Sequence, residues 1–502
     1  MGKPTLNRII IDGDELRTKV DSGIKKLYGV ALAAYGCQSG NVLIERRAST
    51  PIISHDGVTN ISELEVSDPI EDVTIKVIKQ AARRTNETAG DGTTLSTILS
   101  YHLYQWAKHK IDSGVPTREV VKMIKENQVN IVNAINDMKT KDVDDDTLLG
   151  VCKISAGDGA IANLVFDVMQ SVGEFGGINV SYAGTSDIYS TTYDGMYIES
   201  GFSDPNLIND LSNTRSVFQD VPVVVIGRTI SRQNEIIPVL EKLVAEKHNK
   251  AVFFADITGD ALLVLEKNKQ IFDACVVKPV FNNYERLQSD IALYTGGKVY
   301  YGDLTNFDTS SLGMAKELII TNRDTTIIVD KKNLEIDEII KELTGELYKT
   351  TDIHKKMAIE DRMARLTANI ATIYVGGASE TERIENKLKI DDTICAAKSA
   401  LADGVLPGGG VALRDIAKSL KLPYLANPYN DLIKSAGITA VEELSDGFGY
   451  DLMTGNLEHM IDSHIVDPAI VIREAVINSH SVVASLITTT KALVYEDRKW
   501  EF

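Results

Sequence analysis

Cysteine is scarce in this sequence: four in 502 residues, Cys37, Cys152, Cys275 and Cys395, with no Cys-x-x-Cys. Thiols that far apart fit reduced, isolated side chains in a cytoplasmic protein, not a disulfide framework or a zinc site. The eight histidines show no metal-ligand spacing, and His459 and His464, five apart, do not share a helix face. No apolar run approaches the roughly 18 residues that a membrane helix needs. The densest, 223–226 and 251–255, have the length of buried strands. The N-terminal stretch carries Asp12, Asp14 and Glu15 early and does not read as a signal peptide. Positive charge is also short: 53 Lys and Arg stand against 71 Asp and Glu, a formal net charge of −18. That balance argues against nucleic acid or anionic membrane as partner and favours cationic ligands such as metal ions. Gly-x-x-x-x-Gly-Lys-Ser/Thr is absent, which excludes the common P-loop. The sequence holds no internal repeat and no low-complexity segment.

What is present is ordinary globular material, 43% hydrophobic and 25% charged. At about 150 residues per domain, the length suggests three domains. Residues 1–137 read as helical. Apolar stripes run through Ile70, Val73, Val77, Ile78 and Ala81, through Leu95, Ile98, Leu99, Leu103 and Trp106, and through Val120, Ile124, Ile131 and Ile135. The middle alternates: strand 221–226, helix 234–246, strand 250–255, helix 260–268, strand 274–278, the spacing of a parallel α/β unit. Helical periodicity returns at Ile384, Leu388, Ile394, Ala397 and Leu401. The economical reading is a multidomain α+β chain that is nested: a helical base made from both ends, with the α/β block as the far insertion.

Five segments could carry chemistry. Ala89-Gly90-Asp91-Gly92-Thr93-Thr94 sits between two helical stripes. Glycines let the chain turn sharply, a helix start offers unpaired N–H groups to phosphate, and a carboxylate there could hold Mg²⁺. The plainer reading is a helix connector with a threonine N-cap. Gly404-Val405-Leu406-Pro407-Gly408-Gly409-Gly410 precedes a helix; three consecutive glycines suit close approach of a ligand, or a flexible turn. Asp56-Gly57 alone reads as a hairpin turn. Asp391-Asp392 alone reads as a solvated helix face. Asp467-Pro468 alone reads as an N-cap with proline at the first helical position.

Taken in order, these segments resemble the group I chaperonins, the GroEL type. The match includes Asp56-Gly57-Val58-Thr59, Glu63-Leu64-Glu65, Asp68-Pro69, the whole Ala89–Thr94 turn and Ile154-Ser155-Ala156. It continues through Ile237-Pro238-Val239-Leu240-Glu241, Leu293-Tyr294-Thr295-Gly296-Gly297, Asp324-Thr325-Thr326-Ile327-Ile328, Val375-Gly376, Gly404 to Leu413, Gly449-Tyr450 and Asp467-Pro468. The resemblance implies a helical equatorial ATP-binding domain (1–137 and 403–502), a small hinge-like intermediate domain (138–193 and 378–402) and an α/β apical substrate-binding domain (194–377). It implies a cytoplasmic ATPase that uses ATP and Mg²⁺, with K⁺ as a further cation, to fold unfolded client proteins inside a seven-subunit ring. Residue by residue, Asp91 matches the family's Mg²⁺ ligand. Gly90, Gly92, Thr93 and Thr94 match its phosphate turn, Gly36 its first phosphate loop, and Gly408 and Gly409 its glycine turn. Asp451 falls in the adenine region and Asp467 matches a ribose-binding aspartate. Asp392 matches the carboxylate that positions the attacking water, with Asp56 as a second carboxylate near it. Phe202, Leu207, Ile237, Leu240, Leu262 and Leu265 stand where the family contacts its clients.

There are departures. The first phosphate loop reads Gly36-Cys37-Gln38-Ser39-Gly40-Asn41 where the family has Gly-Pro-Lys-Gly-Arg-Asn. Asp451-Leu452-Met453 replaces Asn-Ala-Ala, and Asn206, Glu266 and Lys267 make the groove more polar. The stretch from Gly410 to Tyr450 is shorter than in the family, which suggests a single ring or an altered double ring. No long apical insertion appears, so a built-in lid is not expected, and the need for a separate lid protein stays open. The altered loop motivates a second reading, a ring-forming binding or assembly factor with weak ATPase. A third, a small-molecule kinase, is opposed by the lack of an acceptor-activating site separate from Asp56 and Asp392. If the chain repeats in a ring, its acidity supplies a charged, wet cavity wall.

Overall fold

The structure is a computed structural model. It describes residues 8–36, 40–45, 51–54, 57–173, 177–210, 214–277, 284–330, 333, 335–350, 355, 358–359, 362–363, 365–366, 369–439 and 444–495. Asp56 and Cys37 lie outside the described residues. The chain forms two compact units: Met1–Phe166 with Tyr182–Ile188 and Val375–Phe502, and Asp167–Ser181 with Tyr189–Tyr374.

The chain begins with β1 (Arg8–Asp12), α1 (Gly13–Ala33) and the hairpin β2 (Val42–Ile44) and β3 (Ile52–Ser54). Then come α2 (Gly57–Glu63), α3 (Pro69–Ala89), α4 (Thr93–Asp112), α5 (Thr117–Met138), α6 (Asp145–Ala156) and α7 (Gly159–Val172). Asp68 starts α3 by accepting from the N–H groups of Ile70 and Glu71, with Pro69 at the first helical position. The α5 stripe lies as expected, with Val120, Ile124, Ile131 and Ile135 fully buried. The α3 stripe is rotated from expectation: Ile75 is buried and Val73 is 41% exposed. Gly57 starts a helix, so the hairpin reading of Asp56-Gly57 fails at that residue.

The second unit holds one sheet of eight strands. They are β4 (Gly177–Tyr182), β5 (Tyr189–Ile198), β6 (Ser216–Val225), β7 (Lys250–Phe254), β8 (Asp273–Val277), β9 (Gly313–Ile320), β10 (Thr325–Ile328) and β11 (Asn369–Val375), in the order β4-β11-β5-β10-β9-β6-β7-β8. β6, β7 and β8 run parallel; β9 is antiparallel to β6, β10 to both β9 and β5, and β11 to β5. The parallel reading therefore holds for three strands of a mixed sheet. Those three are buried on both faces. Val223, Val225, Val252, Phe254 and Cys275 face one core, and Val224, Ala251, Phe253, Ala274 and Val276 face the other. This explains their unbroken apolar runs. The helices α8 (Gln233–Ala245) and α9 (Gly259–Asn268) pack on the second core, and α10 (Tyr284–Thr295) and α11 (Glu335–Lys349) on the first.

The chain then returns to the first unit with α12 (Glu380–Asp403), β12 (Val405–Pro407), α13 (Val411–Leu420) and α14 (Asn427–Ser435). It closes with β13 (Phe448–Tyr450), β14 (Leu457–His459), β15 (Val466–Pro468), α15 (Ala469–Leu486) and β16 (Lys491–Tyr495). β1 pairs with β16, Arg8 opposite Tyr495, so both ends of the chain share one unit. One expectation needs correction: α15 is long and apolar enough, by length and composition, to cross a membrane. Half of it is buried, and it packs against α3, α4 and α5 with Val476 and Val483 in the core, which is how a central helix of a globular bundle is built. Cys152, Cys275 and Cys395 form no disulfide among the described residues.

Inside this core His480 is fully enclosed. Nδ1 donates to the Val476 carbonyl (2.7 Å) and Nε2 accepts from the Tyr424 hydroxyl (3.0 Å). Both nitrogens are used by the neutral ring, and burial pushes its pKa down from 6.5 to about 4. The unfolded chain protonates first, so stability is intact above pH 6.5 and falls as pH drops toward 4. At about 1.4 kcal/mol per tenfold change in proton affinity, the full loss is roughly 3 kcal/mol. His480→Gln carries no charge at any of these pH values. The stability advantage of wild type over this variant, from urea unfolding, shrinks by about that amount between pH 7.5 and 4; a gap that ignores pH sinks the assignment.

Candidate nucleotide site

The turn between α3 and α4 is shaped by what surrounds it. Gly90 ends α3 in the left-handed region (φ +74°) and Gly92 precedes α4 at φ +91°. A Cβ on Gly90 would stand 2.5 Å from Cβ of Cys395, and one on Gly92 would stand 2.8 Å from Val471 Cγ1. Both positions therefore need glycine for conformation and for space. Asp91, held between them, accepts from the Gly92 N–H at 2.5 Å. The N-cap of α4 is Gly92, one residue before the expected threonine, and no side chain caps it. A 20-residue helix thus presents an uncapped N-terminus, a ready site for phosphate oxygens. The Thr93 hydroxyl is buried and has no hydrogen-bond partner among the described residues. Gly57 abuts Thr94: a Cβ there would be 2.0 Å from Thr94 Oγ1, so the start of α2 lies against this helix start. Asp56, next to Gly57, is outside the described residues.

A second wall comes from the glycine turn. Leu406 of β12 pairs with Asp467 of β15, and the Gly408 N–H bonds the Ile465 carbonyl. Gly409 (φ +61°) has no described atom within 4 Å of where its Cβ would be, and Gly410 (φ +77°) starts α13 without a side-chain cap. The proline of Asp467-Pro468 is the N-cap of α15, so Asp467 is a strand residue and its carboxylate does not cap the helix. It accepts instead from the Gly409 N–H. Asp467 keeps part of its surface open, yet protein crowds it enough that burial and then the charge of Asp91 push its pKa up to about 7, against the Gly409 bond. Asp91 and Asp467 therefore face one cleft. Tyr35 joins them: burial first, then Asp467 and Asp431, raise its pKa and keep the phenol protonated. Its neighbour Gly36 (φ +89°) sits against Leu432, whose Cδ2 would be 2.5 Å from an added Cβ.

The α12 helix lies along the same turn. Cys395 presses on Gly90, and Ser399 donates to the Ala89 carbonyl at 3.1 Å. Asp392 is one turn before Cys395 and shares its face. Asp391 is used otherwise, paired with Lys387 at 2.6 Å, and burial raises its pKa. Asp451 follows β13, whose Gly449 packs on Val411 at the start of α13. Its carboxylate shapes its own turn, accepting from Met453 N (2.9 Å) and Thr454 Oγ1 (2.8 Å). Sequence reasoning missed Tyr35, Cys395, Leu432 and Val471, which form walls through contacts distant in the chain. Only Cys395 had a local signal, three residues after Asp392 on one helix.

A nucleotide with its cation fits this cleft: two uncapped helix starts, an orphaned threonine hydroxyl, glycines where no side chain has room, and one carboxylate in the turn. Among the described residues no three His, Cys, Asp or Glu side chains gather to hold an ion. A cation at Asp91 would therefore share its shell with phosphate oxygens and water, the habit of Mg²⁺.

The client-contact residues divide in the second unit. Leu207 and Leu265 are fully buried in the core and Phe202 nearly so, and none of the three offers surface to a client. The expected register of α9 was off: Leu265 turns inward at 1% exposure and Leu263 outward at 45%. Ile237 is exposed, Leu240 and Leu262 are half-buried, and Val244 adds to the apolar surface of α8.

The family model for the TCP-1/cpn60 chaperonin family matches residues 29–442. Among solved structures, the chain is similar to the chaperonin gp146 from the bacteriophage EL 2 (Pseudomonas aeruginosa), crystallised in the presence of ATP-BeFx. Crystal form II is 19% identical, covers 99% of this chain and 100% of that one, with a TM-score of 0.76. Crystal form I is 18% identical, covers 97% and 99%, with a TM-score of 0.68. The likeness in structure carries the chaperonin fold, and with the family model spanning most of its residues the chain belongs to the TCP-1/cpn60 chaperonin family.

Proposed function

We propose that the chain is the subunit of an ATP-driven folding ring, a group I type chaperonin with equatorial (1–137, 403–502), intermediate (138–193, 378–402) and apical (194–377) parts. The observation that carries this reading is the meeting, in a chaperonin family chain, of Asp91, two uncapped helix starts and the α12 face at one turn. ATP with Mg²⁺ supplies the scissile phosphoryl bond and the positive charge that offsets its oxygens. Asp91 holds the cation. The N–H groups that open α4 and α13 hold phosphate oxygens, with the Thr93 hydroxyl as a further donor. Asp467, near the glycine turn, accepts from a sugar hydroxyl. Asp392 orients the attacking water and accepts its proton, with Asp56 as second carboxylate. Positioning and electrostatics suffice for phosphoryl transfer, and no covalent enzyme intermediate is required. K⁺ is a further candidate cation.

On the apical part, Ile237, Leu240, Leu262, Leu263 and Val244 offer apolar helix surface to unfolded chains, which are recognised by exposed apolar groups and not by sequence. The second reading, a ring-forming binding factor with weak ATPase, is favoured by one observation: residues 36–41 contain no basic side chain. One experiment separates them. Denatured client is refolded with the purified protein, with and without ATP, while native mass spectrometry counts subunits. ATP-dependent recovery from a seven-subunit ring supports the first reading. Client capture with no ATP-dependent recovery supports the second, and a monomer that neither captures nor refolds overturns both. A stable fourteen-subunit particle would sink the single-ring form.

A further inference from the structure

We propose that Asp431, His102 and Tyr28 are positioning residues that fix Gly36, just after the end of α1, against the second phosphate turn, an inference that rests on the nucleotide reading above. Asp431 lies on α14, in the stretch where the sequence is shortened. Its Oδ2 accepts from Nε2 of His102 at 2.7 Å and from the Tyr28 hydroxyl at 3.0 Å. The His102 tautomer is set by its other nitrogen, because Asn427 Nδ2 donates to Nδ1 at 3.1 Å. The His102 and Asp431 side chains are only 12% and 15% exposed. Tyr28 stacks on Tyr101, ring centroids 4.0 Å apart, so the hydroxyl is held in place.

The topology gives this cluster its meaning. Tyr28 is on α1, which runs into Gly36 and the loop after it. His102 is on α4, which starts at the Asp91 turn. Leu432, the next residue after Asp431, is the side chain that meets Gly36. One carboxylate therefore ties together the helix feeding the first loop, the helix that opens the second turn, and the wall under Gly36. Its field also reaches Tyr35, the residue before Gly36. Residues 36–41 hold no Lys or Arg, so the loop has no charge of its own with which to grip a phosphate. Gly36 itself has only its backbone to offer, so its placement matters, and a nearly buried, charge-assisted network is the device that sets placement.

The expected effect lies in nucleotide affinity and not in turnover. Asp431→Ala raises KM for ATP about tenfold with kcat within about twofold, because the latch acts equally on ground and transition states. Tyr28→Phe, which removes one hydroxyl, gives a rise of about threefold. His102→Ala behaves like Asp431→Ala, whereas His102→Gln, which keeps a donor at the ε position, returns KM to within about twofold of wild type. Asp431→Asn provides a size-matched variant in case the alanine fails to fold. A merely structural cluster would lower the melting point and the active fraction without this split and without rescue by glutamine. Unchanged KM in Asp431→Ala and Asp431→Asn, with wild type binding ATP normally, overturns the latch alone. A wild type that binds no nucleotide overturns the nucleotide reading, and the latch with it.

Discussion

Asp392→Ala lowers kcat for ATP hydrolysis by about a hundredfold or more, the range lost when a positioned general base is removed. The same substitution leaves ATP affinity within about threefold, since Asp392 acts only in the transition state under the proposed role. The basis is the contact of α12 with the phosphate turn: Cys395 on Gly90 and Ser399 on the Ala89 carbonyl fix the face that carries Asp392. Its neighbour Asp391 is engaged by Lys387 and cannot replace it without breaking that pair. Single-turnover hydrolysis beside equilibrium binding of ATP separates the two effects. A variant that hydrolyses at the wild-type rate removes Asp392 from the mechanism. One that loses binding and turnover together assigns it a structural part in holding α12. Because the variant is expected to bind ATP without consuming it, client released by the variant upon ATP addition also reports whether binding alone drives the folding step.

Much of the helical base was legible because its signals are local and repeated. The α5 stripe of Val120, Ile124, Ile131 and Ile135 is a strict period with polar residues between, and it is buried as expected. In α3, apolar residues occupy more than one face, so periodicity alone chose Val73 where packing chose Ile75. The same ambiguity displaced α9: Leu262, Leu263, Val264 and Leu265 are consecutive, and only the sheet beneath decides which turn inward. The three strands read from apolar runs, β6, β7 and β8, lie where expected and run parallel as expected, whereas β9 and β10 were not read, since they pair antiparallel across intervening structure that no local pattern encodes. The phosphate turn was legible from Gly90 and Gly92, whose left-handed conformations demand glycine, with Asp91 between them. Asp467 read as a cap for sound local reasons. Its release from that role follows from the pairing of β12 with β15, with Leu406 opposite Asp467, which draws its carboxylate to Gly409. The walls made by Tyr35, Leu432 and Val471 had no such signal, because each is defined by a neighbour from a remote segment.

Asp91→Ala weakens Mg²⁺-dependent ATP binding by about a hundredfold. Partners of a metal ligand are alone worth about 10–100-fold in affinity, and a direct ligand is worth no less. Asp91 is the carboxylate in the turn itself, and among the described residues no group of three His, Cys, Asp or Glu side chains gathers to hold the ion in its place. Asp91→Asn is the sharper test. Asparagine can still accept from the Gly92 N–H, so the turn keeps its hydrogen bond while the charge is removed. Two consequences then diverge. Affinity for Mg²⁺-ATP falls, because the cation loses its anionic ligand. Affinity for ATP in EDTA stays or rises, because a negative charge beside the triphosphate is gone. The neutral residue also acts on Asp467. The Asp91 charge helps hold that carboxyl near 7, so its removal lets the pKa fall toward the ordinary range, though burial keeps part of the rise. A carboxyl resonance that titrates near pH 7 in wild type and clearly lower in Asp91→Asn confirms that the two groups share a cleft. Equal losses for Mg²⁺-bound and free ATP would instead mean that Asp91 shapes the turn and holds no cation.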